Sequence, residues 1–145
     1  VRAATASLVL LASAVYGAGP AHFDIQATFV PAANPKAEAA VAVLFTAKDP
    51  DVKINEAPAP KLKLDASQSV LLSKAANGGK EPEPNPENPR YLDLASPVRF
   101  PVSLGAAATK GTHLVKGSVA YFYCSKREGW CRKGTTDVEI PVLVR

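Results

Sequence analysis

Apolar and polar residues alternate with a period of two along most of the chain, and this alternation predicts short strands. Phe23, Ile25, Ala27 and Phe29 alternate with Asp24, Gln26 and Thr28, the pattern of a half-buried strand. Pro31 and the Asn34-Pro35 turn end it. A second strand is expected from Glu38 to Lys48, with Val41, Val43 and Phe45 on one face. Shorter strands are expected at Val52–Asn55, at Leu62 and Leu64 with their flanking lysines, and at Ser69–Leu72. Three longer ones complete the chain. The first places Val98, Phe100, Val102 and Leu104 on one face; the next runs from Thr112 to Cys124 with Val115, Val119, Tyr121 and Tyr123 together; the last aligns Val138, Ile140, Val142 and Val144. Pro101 and Pro141 fall out of phase with the apolar faces, so they belong where no ladder donor is needed, at an edge or a bulge.

The connections carry turn chemistry. Asp49-Pro50-Asp51 is a turn because Asp bonds its own backbone and Pro presets φ. Ala57-Pro58-Ala59-Pro60 is expected to run extended, since each proline restricts its neighbour. Residues 77–90, with Pro82, Pro84, Pro86 and Pro89, fit neither a helix nor a central strand. They read as a polyproline-like solvated loop, with docking to a partner's aromatic groove as the alternative.

Seven or eight strands in 145 residues, 47% of them apolar, predict one all-β domain with a core of its own, most simply an immunoglobulin-like β-sandwich over residues 22–145. Ahead of it, residues 1–18 read as a signal peptide or membrane anchor. One cation, Arg2, precedes an apolar run and an Ala12-Ser13-Ala14 cleavage pattern. The uncharged stretch 3–19 nearly suffices to span a bilayer, so a membrane contact is the alternative to cleavage. Val1 is what literal translation of a GTG start codon gives, which points to a bacterial chain. Either reading places the body outside the cytoplasm, in the periplasm or cell envelope.

The formal charge of +4 is spread along the chain, so no nucleic-acid surface is expected. His22 and His113 stand far apart with no metal-ligand spacing, and there is no Gly-rich phosphate loop or nucleophile elbow. No metal or cofactor is expected.

The chemistry that remains lies between Tyr121 and Gly134. Cys124 and Cys131 are the only cysteines, one ending a strand and the other starting the next, and in an oxidising compartment they are expected to bond. The bond is either a staple or a redox pair. Lys126, Arg127, Arg132 and Lys133 would favour a thiolate, Glu128 would oppose it, and Trp130 would either shield the sulfurs or fill the loop.

The order Val119-Ala-Tyr-Phe-Tyr123-Cys124, then Ser125 to Trp130, Cys131, and Val138-Glu-Ile-Pro141-Val142 resembles the amino-terminal periplasmic domain of the thiol:disulfide interchange protein DsbD and its relatives. The early His22-Phe23 agrees with it. Six residues separate the cysteines here, one more than the family pattern. The resemblance implies an immunoglobulin-like fold and a catalytic pair, Cys124 and Cys131, supported by Tyr123, Lys126, Arg127 and Trp130. It also implies a protein partner in the periplasm or inner membrane. The alternative is a non-catalytic accessory subunit of a membrane-associated complex, with a structural disulfide.

Overall fold

The computed structural model describes residues 22–74 and 83–145. The expected leader or anchor, residues 1–18, the contact through 3–19 and the first part of the proline-rich loop lie outside these residues. No helix among the described residues is long and apolar enough to cross a membrane.

Eight strands form: β1 Phe23–Val30, β2 Ala39–Ala47, β3 Val52–Ile54, β4 Lys61–Leu64, β5 Leu71–Ser73, β6 Val98–Leu104, β7 Gly111–Ser125 and β8 Trp130–Val144. They make two antiparallel sheets, consistent with a β-sandwich. The first has the order β1-β2-β6-β5. In the second, β7 is central, β8 pairs with one of its edges, and β3 and β4 follow each other along the opposite edge. Alternation decides the inner faces. Val41, Val43 and Phe45 of β2 face Val115, Val119 and Tyr121 of β7, with Val138, Ile140 and Val142 of β8 completing the core. Side chains as large as Phe23, Ile54 and Ile140 are fully buried, each stabilising the fold by roughly 1.5–3 kcal/mol relative to exposure.

One aromatic knot fixes the end of the sandwich that carries the cysteines. Tyr121 is 1% exposed and meets Phe23 and Phe45 edge-on, with ring centroids 5.9 and 5.5 Å away. Gly134 lies opposite Tyr121 across the β7–β8 ladder, and a Cβ there would stand 2.5 Å from Tyr121 Cζ. The glycine is the space that the phenol ring occupies.

Three expectations need correction. Leu104, placed on the apolar face of β6, is 48% exposed, although Leu71, its partner on β5, is fully buried. Residues 57–60 do not run extended along the sheet. Ile54 pairs with Tyr123 and Lys61 with Ala120, so the whole segment must fit opposite Tyr121 and Phe122, and it bends away through a cis Ala57–Pro58 bond. Pro101 lies in an interior strand rather than at an edge. Its carbonyl accepts the Lys74 N–H (3.0 Å), and β5 ends at Ser73, where the proline has no N–H to return.

Pro141 does sit at an edge. The Asn55 and Asp65 amides donate to the Phe122 and Lys116 carbonyls (2.8 and 3.0 Å), so even-numbered residues of β7 turn their backbone groups away from β8. Leu114, opposite Pro141, is one of them, and the absent donor of Pro141 therefore faces outward from β8.

Candidate functional site

The same parity places Cys124 opposite Cys131 in a non-hydrogen-bonded pair, where antiparallel strands come closest. Their Cα atoms are 4.0 Å apart and their sulfurs are bonded. Because β7 spends its odd residues on the core, the even-numbered Cys124 projects from the outer face of the sheet, and Cys131 with it. The two are unequal: Cys124 is 4% exposed, whereas Cys131, on the edge strand, is exposed.

The chain folds a wall over this disulfide. Segment 90–92 pairs with the free side of β3, with Asn55 bridging Tyr91, the Glu56 amide donating to the Arg90 carbonyl (2.8 Å) and the Leu92 amide donating to that of Ile54 (2.9 Å). An Arg90–Glu56 ion pair at 3.1 Å reinforces it. Residues 83–90 are exposed, as a solvated loop should be, yet they also form one side of a cleft of about 310 Å³. Asn55–Pro58 form the other side, and both cysteines contribute to the lining. Asn85 fixes the loop locally, its Oδ1 accepting the Glu87 and Asn88 amides (3.0 and 3.1 Å).

The side chains expected to support the cysteines divide between the two faces. Successive residues of a strand point to opposite sides, so Tyr123 and Trp130 leave the sulfurs and turn inward. They meet edge-on at 5.7 Å, and both lie beside His22. Trp130 therefore neither shields the disulfide nor fills the loop. Arg132 stacks over the Trp130 ring at 4.2 Å, and the Trp130 indole donates to Glu128 Oε2 at 2.6 Å, which draws that carboxylate away from the sulfurs too. Arg127 lies 3.9 Å from the Asp51 carboxylate, so its charge is partly answered there. Lys126 stays on the cysteine side, its Nζ 5.1 Å from the centre of the Tyr91 ring. Lys133, over Phe122 at 5.9 Å, shares the outer face with Cys131.

Several residues at the site carried no sequence signal. Lys53 lies opposite Cys124 in the β3–β7 register, and its exposed side chain shares the outer face. Asn55 Oδ1 is 3.2 Å from Cys124 Sγ, although the two residues are 69 positions apart. In the disulfide that sulfur has no proton to give, so this is a contact, at a distance that would suit an S–H···O hydrogen bond from a thiol. Asp51 accepts hydrogen bonds from the Ser125 hydroxyl and the Arg127 amide. The Ser125 hydrogen bond, aided by Arg127 and opposed by desolvation, holds the Asp51 carboxyl below the usual carboxylate range.

Among the described residues, no group of three or more His, Cys, Asp and Glu is placed to hold a metal ion. The His113 ring instead donates to the Thr109 carbonyl at 2.6 Å. Geometry defines the chain as a two-sheet β-protein with a cross-strand disulfide on an outer face. No protein-family model, curated protein or solved structure matches it.

Proposed function

We propose that the chain is a periplasmic thiol–disulfide exchange domain, an immunoglobulin-like relative of the DsbD amino-terminal domain that transfers electrons to a protein partner. The observation that carries this reading is the inequality of the bonded cysteines: one an exposed residue of an edge strand, the other a buried one, both lining a cleft. Exchange needs one sulfur that a partner can reach and a second held ready to resolve the mixed disulfide.

In the reduced state Cys131 is the nucleophile. Its thiolate attacks one sulfur of the partner's disulfide and expels the other as a thiolate. Cys124 then gives its proton to the expelled partner thiolate and attacks Cys131 Sγ, which re-forms the internal bond and releases the partner's second sulfur as a thiolate that takes a proton from water. Two electrons pass to the partner. Lys53 and Lys133 on the same face favour the thiolate, while Asn55 Oδ1 accepts a hydrogen bond from the Cys124 thiol and keeps the resolving sulfur neutral until it acts.

A second reading, a staple in a non-catalytic accessory module, is favoured by the deep burial of Cys124 under the proline-rich segment. Equilibration with glutathione and thioredoxin buffers separates the two. A reduction potential above about −250 mV supports exchange, and one below about −300 mV overturns it in favour of the staple.

A further inference from the structure

We propose that Asp51 is a positioning residue that keeps the Cys124–Cys131 hairpin in its bonded shape after the disulfide has been opened. Four residues, 126–129, connect the strands that carry the cysteines. Three of their backbone donors, those of Arg127, Glu128 and Gly129, are satisfied without any help from sulfur. Asp51 Oδ1 accepts the Arg127 amide at 3.1 Å, and its Oδ2 accepts the Ser125 hydroxyl. Ser125 Oγ in turn accepts the Glu128 amide at 3.1 Å, and the Ser125 carbonyl accepts that of Gly129 at 2.9 Å.

The clamp is anchored at both ends. Ser125 is 3% exposed, the one buried polar side chain of the described residues, and its hydroxyl has no water to fall back on. Asp51 is fixed by its own turn, with its amide donating to Asp49 Oδ1 at 3.0 Å and the Val52 amide donating to the Asp49 carbonyl at 3.2 Å. Gly129 takes the left-handed conformation, φ 71°, that lets so short a connection close. No hydrogen bond of this network involves a sulfur, so opening the disulfide removes none of them. The cysteines stay facing each other, and their effective molarity for re-forming the bond stays high.

The functional meaning of the clamp rests on the exchange reading, but its test does not. The assay is the equilibrium in which the protein disulfide and two glutathione thiols give the protein dithiol and one glutathione disulfide. Asp51→Ala should lower the effective molarity at least tenfold, which raises the potential by about 30 mV or more for a two-electron couple. Ser125→Ala, which removes no charge, should shift it in the same direction. Asp51→Asn keeps an acceptor oxygen for the Arg127 amide but puts an NH2 where Oδ2 accepts the Ser125 hydroxyl, so it should shift the potential clearly less than Asp51→Ala does. The proposal is overturned if the two alanine variants match wild type, or if Asn shifts the potential as far as Ala does, since charge rather than hydrogen bonding would then be responsible. Should Asp51→Ala not fold, Ser125→Ala and amide exchange in the reduced wild-type protein decide. Arg127 and Glu128 amides that remain protected support the clamp; amides that exchange as in a free peptide refute it. The wild-type potential tests exchange itself, while the difference between variants tests Asp51.

Discussion

Reducing the disulfide should weaken the fold by an amount that its position allows to be calculated. Cys124 and Cys131 are 7 residues apart, and the chain-entropy relation for so small a loop gives about 2.5 kcal/mol. Little is added to or subtracted from this on the native side. The freed Cys124 thiol stays buried with Asn55 Oδ1 3.2 Å away to accept its hydrogen bond, and the hairpin amides are already bonded elsewhere. With a urea slope of 1–3 kcal/mol/M, the unfolding midpoint should fall by roughly 1–2.5 M when reductant is added. Thermodynamic closure then fixes a second quantity. The folded pair must have a potential about 50 mV more negative than the same cysteines in the unfolded chain, because 30 mV corresponds to 1.4 kcal/mol. Urea titrations of the oxidised and reduced protein, paired with potentials measured in buffer and in denaturant, check both numbers. Coincident midpoints would refute the loop-entropy reasoning. Complete unfolding on reduction would refute the claim that the sandwich core stands without the bond.

Four other outcomes are expected. Gly134→Ala should destabilise the protein by about 1–3 kcal/mol, the range for overpacking, since its Cβ would enter the Tyr121 ring; an unchanged melting temperature would contradict that packing. In the reduced protein a bulky maleimide should label Cys131 at least tenfold faster than Cys124, as read by peptide mass spectrometry, and equal rates would remove the basis for naming a nucleophile. Because the Asp51 carboxyl is held below its ordinary value, its contribution is present above the unfolded pKa and lost as pH falls through the folded one. The acid limb of stability, followed by thermal melts from pH 5 to 2, should therefore flatten in Asp51→Ala. Burial pushes the Tyr121 phenol up, so the fold favours its neutral form; stability should fall as pH rises past the ordinary value near 10, and fall less in Tyr121→Phe.

The fold was legible wherever alternation was long. The runs at Phe23–Phe29, Val41–Phe45 and Val138–Val142 each name one buried face, and the structure buries those residues. Alternation fixes the face of a strand and not what covers each position of it, and Leu104 kept the right phase yet is half exposed beside the buried Leu71. The cysteine pairing was legible from count and spacing. Its surroundings were not, because the face of a strand is decided by neighbours distant in sequence. Tyr123 and Trp130 sit beside the cysteines in the chain and behind them in space. Asn55, Lys53 and Asp51 arrive from β3 and the turn before it, through pairing with β7 that no local pattern announces. Residues 83–90 of the proline-rich loop are exposed, but their placement against the disulfide depends on the pairing of segment 90–92 with residues 54–56, contacts distant in sequence.

The pairing of segment 90–92 with β3 also bears on how the protein behaves at high concentration. A three-residue strand with a bare edge would be a template for a second chain, the usual start of sheet-to-sheet aggregation. Here the outermost position is taken by backbone leading out of Pro84, Pro86 and Pro89, which supply no donors to an incoming strand. On the opposite side, β8 offers Asp137, Glu139 and the donorless Pro141. An arriving strand thus meets donorless prolines beside β3 and two carboxylates with the donorless Pro141 along β8, features that oppose edge-to-edge pairing of the cysteine-bearing sheet at these two places.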